Sequence, residues 1–502
     1  MILVKGGTII DGAGGAEYRA NLVIKGDYVA SIGELTEKKL NCERIIDASG
    51  CLVIPGFIDV HNTSDHHLTI FTNPNQGDAL LQGITTIIGG HCGASLAPLL
   101  YGSLESIRKY ADINSINVNW HSVGEFYALL AKQKLGVNFG TFAGHTTIRR
   151  ALIGNGSRDL TMGELQVFSQ VLQDSMKDGA IGLSTGLGYA HANQTPYGEI
   201  KNLVAKIAET KGVYATHLRD ERENIISAVK EAVRIAEETG AEVIISHLKP
   251  IETGLGEYST ALEAILKSPA SSKIHFTSYP YDVSLHPIYT LLPAWAKTGT
   301  LETMIDHLKN PHHQERIIRE LESRNIAGLN ITVMSSPGYE HFAGKTLAAI
   351  AENRGISHEE ALLELMSATR LRALVSLKDI NLDWIIQGFR LKNNLVASIA
   401  PSFPENYSGV KHPRSQNTFP RFLAMMQATK MISRGEAVRK ITGDPAKKLN
   451  FKKRGLIKEG YFADLVVMQN EKVRDVLVNG SPAVLDGALT GTRVGAIIRS
   501  EA

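Results

Sequence analysis

Four residues of the types that bind transition metals lie at the ends of apolar stretches, far apart in this sequence. They are His61, Cys92, His217 and His247, and each follows a run rich in small and β-branched residues. Thiolate and imidazole are ligands that suit Zn²⁺, and three protein ligands leave a fourth tetrahedral position for water or substrate. A single cysteine of this kind is more often a small buried residue. Four such residues together predict a zinc site built from Cys92, His217 and His247, with His61 as a further ligand.

The elements that must position these residues alternate along the middle of the chain between apolar β-type runs and amphipathic helical stretches. This alternation is typical of a parallel sheet built from β-α units. In a (β/α)8 barrel the carboxyl ends of the strands converge on one mouth, where active sites lie. The eight predicted strands end at His61, Cys92, His145, Leu187, His217, His247, Tyr281 and near Ser402. Five of these eight ends are His or Cys, so we expect their side chains to meet at the mouth.

The two ends of the chain differ from this middle part and resemble each other. Residues 1–54 and 455–502 both alternate short β-type runs with glycine turns, as in "ILVKGGTIIDG" and "VRDVLVNGSPAV". We therefore predict an α/β protein with two domains, a TIM-type barrel over residues 55–440 and a small β-sandwich formed by residues 1–54 and 441–502. A charged, helical insertion near residues 287–390 separates the last two barrel strands and is placed to cover the mouth.

The composition excludes several classes of function. The chain has 502 residues, 43% of them hydrophobic and 21% charged, with a net charge of +2. These values are ordinary for a globular protein and too balanced to favour nucleic acid or a membrane as partner. The first residues lack the pattern of a signal peptide, and three cysteines do not form a disulfide framework. We expect a cytoplasmic protein that acts on a small molecule.

Motifs along nearly the whole chain resemble one family, the N-acyl-D-amino-acid deacylases (D-aminoacylases) of the amidohydrolase superfamily. The matching stretches are "PGFIDVH", "GITTIIGGHCGASLAP", "GHTTIRRALIG", "GAIGLSTGLGY", "ATHLRDE", "ISHLK", "YPYDVS", "HPRSQNTFPRFL", "AVRKITGDPAKKL", "RGLIKEGYFADLVV" and "VRDVLVNG". The resemblance implies a (β/α)8 barrel with a small β-domain, a zinc cofactor, and hydrolysis of the N-acyl amide of a D-amino acid to a carboxylate and a free D-amino acid.

Carried over residue by residue, the resemblance implies that the tight zinc site is complete and the second site is not. Cys92, His217 and His247 match the tight site. The second site of the family uses both histidines of a His-x-His motif and an Asp after the last strand. Here only His61 is present, because Thr63 replaces the second histidine and Ala400 stands at the Asp position. We therefore predict one tightly bound zinc ion and the loss of the second site.

The residues that hold the substrate carboxylate in the family are also present here. They match Lys249, Tyr279 in "YPY" and Arg414 in "HPR". A lysine, an arginine and a phenol near one mouth suit a carboxylate, which they bind through charge-assisted hydrogen bonds. The resemblance thus implies a complete substrate-binding set beside an incomplete metal set.

Loss of the Asp raises the question of which group moves the proton during amide hydrolysis. General acid–base catalysis contributes typically about 10²–10⁴ in rate. Asp65 on the first loop and His145 at the third strand end are the predicted catalytic replacements, followed by Glu405. Asp220 and Glu221 are interpreted as residues that pair with Arg219 or hold loops.

Two alternative functions remain compatible with the sequence. One is a non-hydrolytic enzyme, an epimerase or an enzyme that opens a cyclic amide, using a single zinc beside Lys249. The other is a catalytically silent relative that binds an acyl amino acid. The retained zinc ligands favour an enzyme, and barrels of this size often pair, so a homodimer is a further prediction. The substrate's side chain and acyl group do not follow from the sequence.

Overall fold

The computed structural model describes residues 1–34, 41–156, 158–336, 338–407 and 409–500. Its strands are β1 (Ile2–Ile9), β2 (Tyr18–Lys25), β3 (Tyr28–Gly33), β4 (Arg44–Asp47), β5 (Leu52–Pro55), β6 (Phe57–Asp59), β7 (Ile84–Gly89), β8 (Asn138–Thr141), β9 (Ala143–Gly144), β10 (Gly182–Gly186), β11 (Val213–His217), β12 (Glu242–Ile245), β13 (Ile274–Ser278), β14 (Val283–Pro287), β15 (Thr332–Ser335), β16 (Leu374–Lys378), β17 (Asn394–Val396), β18 (Leu465–Gln469), β19 (Lys472–Val478), β20 (Ser481–Leu485) and β21 (Ala488–Leu489). None of the helices within the described ranges is long and apolar enough to cross a membrane.

The α-helices lie mostly between the parallel strands. They are α1 (Thr69–Thr72), α2 (Gly77–Leu81), α3 (Val123–Gln133), α4 (His145–Ile153), α5 (Met162–Lys177), α6 (Tyr197–Ala208), α7 (Ile225–Thr239), α8 (Leu255–Lys267), α9 (Leu301–Lys309), α10 (Pro311–Glu322), α11 (Leu347–Arg354), α12 (His358–Ala368), α13 (Leu382–Gly388), α14 (Arg414–Thr429), α15 (Arg434–Ile441) and α16 (Gly443–Lys448). Several begin with a capping box, in which a Ser or Thr and a Glu three residues later satisfy each other's backbone N–H, as Thr161 and Glu164 do at α5.

The parallel strands predicted from the sequence form two hydrogen-bonded groups, and the predicted strand that ends at His145 is divided into β8 and β9. One is the six-stranded sheet β17-β13-β12-β11-β10-β9, and the other is the three-stranded sheet β6-β7-β8. Only Phe142 separates β8 from β9, and the N–H of Ile181, just before β10, donates to the carbonyl of Thr141 in β8 at 2.9 Å. On the other side, the N–H of Ile399 donates to the carbonyl of His61 at 2.9 Å. Backbone hydrogen bonds thus link the two groups at both seams.

The burial of these strands explains why the sequence predicts them. Every residue of β7, β10 and β13 is buried, as expected for parallel strands that are covered on both faces. These strands combine apolar residues with small or hydroxyl-bearing ones and do not show the polar–apolar alternation of a half-exposed strand.

Strands from both ends of the chain share one sheet. Its order is β21-β20-β19-β18-β5-β1-β2-β3, with β4 paired to β1. Strand β18 is the join between the ends, because it pairs antiparallel with β5. Its side chains alternate, so that Val467 belongs to the core of this sheet, whereas Val466 belongs to the large core around the parallel strands.

The insertion between β13 and β17 contains helices α9 to α13 and an antiparallel sheet of order β14-β16-β15. The sequence does not predict these short strands, because a run of four or five residues has little periodicity. The hydrophobic core of the insertion includes Cys92 and Tyr189. It therefore packs directly beside the predicted metal ligands.

Candidate active site

Three of the predicted metal ligands meet at the carboxyl ends of their strands. Their donor atoms, Cys92 Sγ, His217 Nδ1 and His247 Nε2, all lie within 4.8 Å of one another. The sulfur is 3.9 Å from the His217 nitrogen and 3.7 Å from the His247 nitrogen, and the two nitrogens are 3.0 Å apart. Tetrahedral bonds of 2.3 Å to sulfur and 2.0–2.1 Å to nitrogen would place such donors about 3.3–3.6 Å apart. The donor set therefore fits zinc with only small adjustments.

Local backbone geometry brings these side chains to one point. His217 is the last residue of β11, and His247 follows β12 with its N–H donated to Thr277 Oγ1. Cys92 follows β7 through Gly90, where an added Cβ would lie 2.2 Å from the carbonyl oxygen of Phe142. Cys92 and His247 both have positive φ angles, 54° and 39°. Non-glycine residues held in this region cost about 1–3 kcal/mol, and such strain concentrates at functional sites.

Burial sets the protonation of the ligands before any metal binds. It raises the pKa of the Cys92 thiol to about 12 and lowers the pKa of the His217 imidazole to about 3. Both groups are therefore neutral near pH 7. Neutral imidazoles are ready to coordinate a metal, whereas the thiol must release its proton to do so.

His61, the fourth predicted ligand, lies beside this cluster. Its Nε2 is 3.9 Å from Cys92 Sγ, and its ring stacks on that of His91 at 3.8 Å. Nδ1 of His61 is buried and has no hydrogen-bond partner among the described residues. Its position allows it to contact a metal ion or a ligand at the cluster.

Thr63 and Ala400, at which the sequence analysis predicts the loss of second-site ligands, lie next to each other. Thr63 and Ala400 both line the cavity above the cluster, and the N–H of Thr63 donates to the carbonyl oxygen of Ala400 at 3.3 Å. Thr63 has a hydroxyl where the prediction expects an imidazole in the family, and Ala400 has a methyl group where it expects a carboxylate.

The predicted carboxylate-binding residues open into this same cavity, whose volume is about 650 Å³. Lys249, Tyr279 and Arg414 all line it. The Arg414 guanidinium lies 5.0 Å from the centre of the Tyr279 ring, and Arg414 is only 6% exposed. Within the described part of the chain it forms no ion pair with a carboxylate. A buried, unneutralised guanidinium is a strong site for an anionic ligand.

Glu221 contacts both the predicted metal cluster and the predicted carboxylate-binding residues, and the sequence does not predict this role. Its Oε1 accepts a hydrogen bond from His247 Nδ1 at 2.6 Å, and its Oε2 is 3.0 Å from Lys249 Nζ. Burial alone would raise the pKa of Glu221. The neighbouring Lys249 and His247 have the larger effect and hold this pKa well below its usual range. Arg219, which we expected to pair with this loop, instead pairs with Glu231.

The structure does not bring the predicted catalytic replacements to the cavity wall. Asp65 is 1% exposed, and its Oδ2 accepts a hydrogen bond from the N–H of Gly90, so it holds the turn that precedes Cys92. His145 begins α4, and its Nε2 is hydrogen-bonded to Glu199. Glu405 lies exposed on its loop. None of the three lines the cavity.

A different imidazole does line the cavity and was not selected from the sequence. His286, in β14 of the insertion, has its Nε2 2.9 Å from Ser284 Oγ, and that hydroxyl donates to Asp379 at 2.5 Å. Asp379 also pairs with Arg222. The sequence does not predict this chain of hydrogen bonds, because Asp379 lies more than 90 residues from Ser284 and His286 in β14.

Comparison with known proteins places this geometry in context. A model of the amidohydrolase family matches residues 409–482. The D-aminoacylase of Alcaligenes xylosoxydans xylosoxydans is 28% identical, over 99% of this chain and 97% of that protein. The resemblance to the N-acyl-D-amino-acid deacylases is confirmed. The prediction of a metal-dependent amidohydrolase acting on linear amides is likewise confirmed by the relatives, which are D-aminoacylase and the N-acyl-D-aspartate and N-acyl-D-glutamate deacylases.

Solved structures of these deacylases extend the likeness to the fold. The N-acyl-D-glutamate deacylase of Bordetella bronchiseptica, complexed with zinc and a phosphonate inhibitor, has a TM-score of 0.83 and 25% identity, covering 99% of both chains. A D-aminoacylase studied for one-metal activation and second-metal attenuation of its binuclear centre has a TM-score of 0.80 and 26% identity, again over 99% of both chains. The chain therefore has the α/β amidohydrolase-type fold of these deacylases.

Proposed function

We propose that the protein hydrolyses the N-acyl amide bond of N-acyl-D-amino acids to a carboxylate and a free D-amino acid, with one zinc ion held by Cys92, His217 and His247. The observation that carries this proposal is that one cavity contains both the three metal-type donors and the unneutralised Arg414. An N-acyl amino acid has a carboxylate and an amide carbonyl a few ångströms apart, which is the combination this cavity can bind.

We propose further that the two groups of parallel strands form a single (β/α)8 barrel over residues 55–440, and that residues 1–54 and 441–502 form a β-sandwich domain. The backbone hydrogen bonds at both seams support the barrel. The shared sheet and its separate hydrophobic core support the second domain. The insertion near residues 287–390 supplies part of the cavity wall, including Tyr289 and Leu291.

The residues of the cavity divide the task of holding and orienting the substrate. Arg414, Lys249 and the Tyr279 hydroxyl bind the carboxylate and fix its position, while Cys92, His217 and His247 hold the zinc. Zinc in such a site supplies Lewis acidity, which polarises a carbonyl and acidifies water. The insertion excludes bulk water, which strengthens each of these electrostatic contacts.

The proton for the leaving amine must come from a group in the cavity wall. We do not assign this role to Asp65 or His145, because neither reaches the cavity. His286 lines the cavity, and its link through Ser284 to Asp379 gives it a fixed orientation. Burial holds the pKa of His286 well below its usual range, so the neutral ring can accept a proton and pass it to the amine. It is therefore the first residue to substitute in a search for the group that transfers this proton.

A single zinc is sufficient in this proposal. His61 remains, but Thr63 and Ala400 provide no further ligand for a second ion. The solved D-aminoacylase studied for one-metal activation and second-metal attenuation supports activity with one metal. A cytoplasmic location and a homodimer stay predictions from the sequence.

The test is release of free amine from a panel of N-acetyl and N-formyl D- and L-amino acids, using protein whose zinc content has been measured. We expect D-substrates alone to release amine and about one zinc per chain. Cys92→Ala should abolish both zinc binding and release, while Cys42→Ala, which changes a cysteine outside the site, should leave both unchanged. Stoichiometric zinc without release from any substrate would refute hydrolysis and favour the non-hydrolytic or ligand-binding alternatives.

The carboxylate assignment is tested on the active enzyme with a matched substrate pair. A hydrogen bond to a charged group contributes about 1.5–3 kcal/mol, so Arg414→Met should lower kcat/KM for the N-acetyl-D-amino acid about 10- to 150-fold. The corresponding N-acetyl-D-amino-acid amide, which lacks the carboxylate, should be far less affected. Equal losses for both substrates would show that Arg414 does not bind the carboxylate.

A further inference from the structure

We propose that Glu221 is a positioning residue, which fixes His247 for metal binding with one carboxylate oxygen and holds Lys249 with the other. This inference rests on the proposed function, since it concerns the same cavity. It extends that function by joining the metal ligands to the carboxylate-binding residues through one side chain. Lys249 and His247 lie two residues apart after β12, and Glu221 lies four residues after His217, the last residue of β11.

The contact with His247 decides which nitrogen of that ring faces the metal cluster. Because the Glu221 carboxylate only accepts hydrogen bonds, the 2.6 Å contact requires a proton on His247 Nδ1. The lone pair is then on Nε2, which lies 3.7 Å from Cys92 Sγ and 3.0 Å from His217 Nδ1. A carboxylate behind a metal-binding imidazole orients the ring and increases its basicity. Glu221 thus prepares His247 as a ligand before metal arrives.

The contact with Lys249 fixes the carboxylate itself. The ammonium group is 3.0 Å from Oε2, and the exposed fractions of the two side chains are 6% for Lys249 and 12% for Glu221. With both oxygens engaged, rotation of the carboxylate would break one buried charged contact. The same carboxylate keeps Lys249 charged in a buried position, where a substrate carboxylate can reach it.

The loop that carries Glu221 is anchored on either side of it. Asp220 Oδ1 accepts hydrogen bonds from the N–H groups of Arg222 and Asn224, and the Arg222 guanidinium pairs with Asp379. Glu221 therefore does not depend on its two contacts alone for its position. Substitution of its side chain should change those contacts without releasing the loop.

The neighbouring Glu223 provides a matched control. It lies in the same loop and also lines the cavity, but its side chain is 71% exposed and its nearest cation is Arg324 at 3.8 Å. A change of charge at Glu223 alters the loop's net charge by the same amount as a change at Glu221. It leaves His247 and Lys249 untouched.

The experiment measures zinc affinity by competition with a chromophoric chelator for the wild type, Glu221→Ala, Glu221→Gln and Glu223→Gln. Loss of a residue that orients a metal ligand costs about 10- to 100-fold in affinity, which is expected for Glu221→Ala. Glu221→Gln can still accept the hydrogen bond from His247 and should fall between this variant and the wild type. Glu223→Gln should match the wild type within about twofold.

A second readout separates positioning from general stability. The visible absorption of the cobalt-substituted protein reports ligand geometry, and it should change in Glu221→Ala and not in Glu223→Gln. The metal-free Glu221→Gln variant should remain folded at the temperature of the titration, although loss of the buried charge partner of Lys249 lowers its unfolding midpoint. If Glu221→Ala fails to fold, the isosteric Glu221→Gln variant is used for the test. We expect it to bind zinc more weakly than the wild type.

Unchanged zinc affinity in both Glu221 variants would overturn the proposal. Equal losses of zinc affinity in the Glu221 and Glu223 variants would also overturn it, and so would a wild-type protein that binds no zinc. None of these measurements needs turnover. If the wild type binds zinc and the Glu221 variants bind it more weakly, but no substrate releases amine, the proposed function fails and the positioning role stands.

Discussion

At the scale of single residues, burial determines how the metal cluster behaves. Cys92, His217 and His247 lie in a largely water-excluded cavity, where charged forms are disfavoured. The two imidazoles are therefore neutral without any metal, and the thiol is neutral as well. Metal binding changes only the thiol, because a cysteine coordinates zinc as thiolate.

This difference predicts a defined pH dependence of zinc binding. Burial raises the pKa of the Cys92 thiol to about 12 in the metal-free protein, so zinc binding must release the thiol proton. His217, with a pKa of about 3, is already neutral above pH 6 and releases no proton. We expect release of about one proton per zinc, and a dissociation constant that falls about tenfold per pH unit between about pH 6 and 9. Calorimetry in buffers of different ionisation enthalpy measures the release.

The control for this prediction is Cys92→His, in which a neutral imidazole replaces the thiol as donor. That variant should release far less than one proton on binding zinc. A wild-type protein whose zinc affinity does not change with pH would contradict the protonated thiol and, with it, the role of burial at Cys92.

At the scale of elements, the site depends on where parallel strands end and how their loops turn. The three predicted ligands lie at the ends of β7, β11 and β12, and Asp65 holds the turn that leads from β7 to Cys92. The loops after β6 and β17 deliver the other wall of the cavity. A backbone hydrogen bond between Thr63 and Ala400 joins these two loops.

Restoring the ligands predicted to be lost from the second site should restore that site. Thr63 and Ala400 are hydrogen-bonded neighbours that line the cavity, so Thr63→His with Ala400→Asp would place an imidazole and a carboxylate beside His61. We expect the zinc content, measured by metal analysis after dialysis, to rise from about one to about two ions per chain. The double variant with Asn at both positions should stay at one, and a His/Asp variant that also stays at one would contradict the proposed geometry.

At the scale of the whole molecule, β18 links the terminal sheet to the body of the protein. Val466 belongs to the core around the parallel strands and Val467 to the core of the terminal sheet, and both are fully buried. Strand β18 also pairs with β5 from the opposite end of the chain. The two cores therefore share one strand, which couples their stability.

This coupling predicts a single unfolding transition for the whole chain. Val466→Ala and Val467→Ala each remove buried methyl groups and should each lower the free energy of unfolding by about 2 kcal/mol. Lys472→Ala, at an exposed position in β19, should change it by less than about 0.5 kcal/mol. Scanning calorimetry, with tryptophan fluorescence as a second probe, would reveal two separate transitions for Val467→Ala if the terminal sheet unfolds independently.

The family resemblance, the parallel strands and the three clustered residues could all be predicted from the sequence. Strand-like runs that end in Cys92, His217 or His247 are local signals, and the ends of parallel strands converge at one edge. The prediction that a second site is lost is equally local, because Thr63 and Ala400 are read directly from the sequence.

The surroundings of that cluster depend on contacts that the sequence does not predict. Asp65 and His145 have suitable chemistry, but packing turns one toward Gly90 and the other toward Glu199, both away from the cavity. Glu221 and His286 reach the cavity because loops and an insertion remote in sequence fold over it. The direction of a side chain depends on contacts between distant segments, and a pattern within one segment contains no information about those contacts.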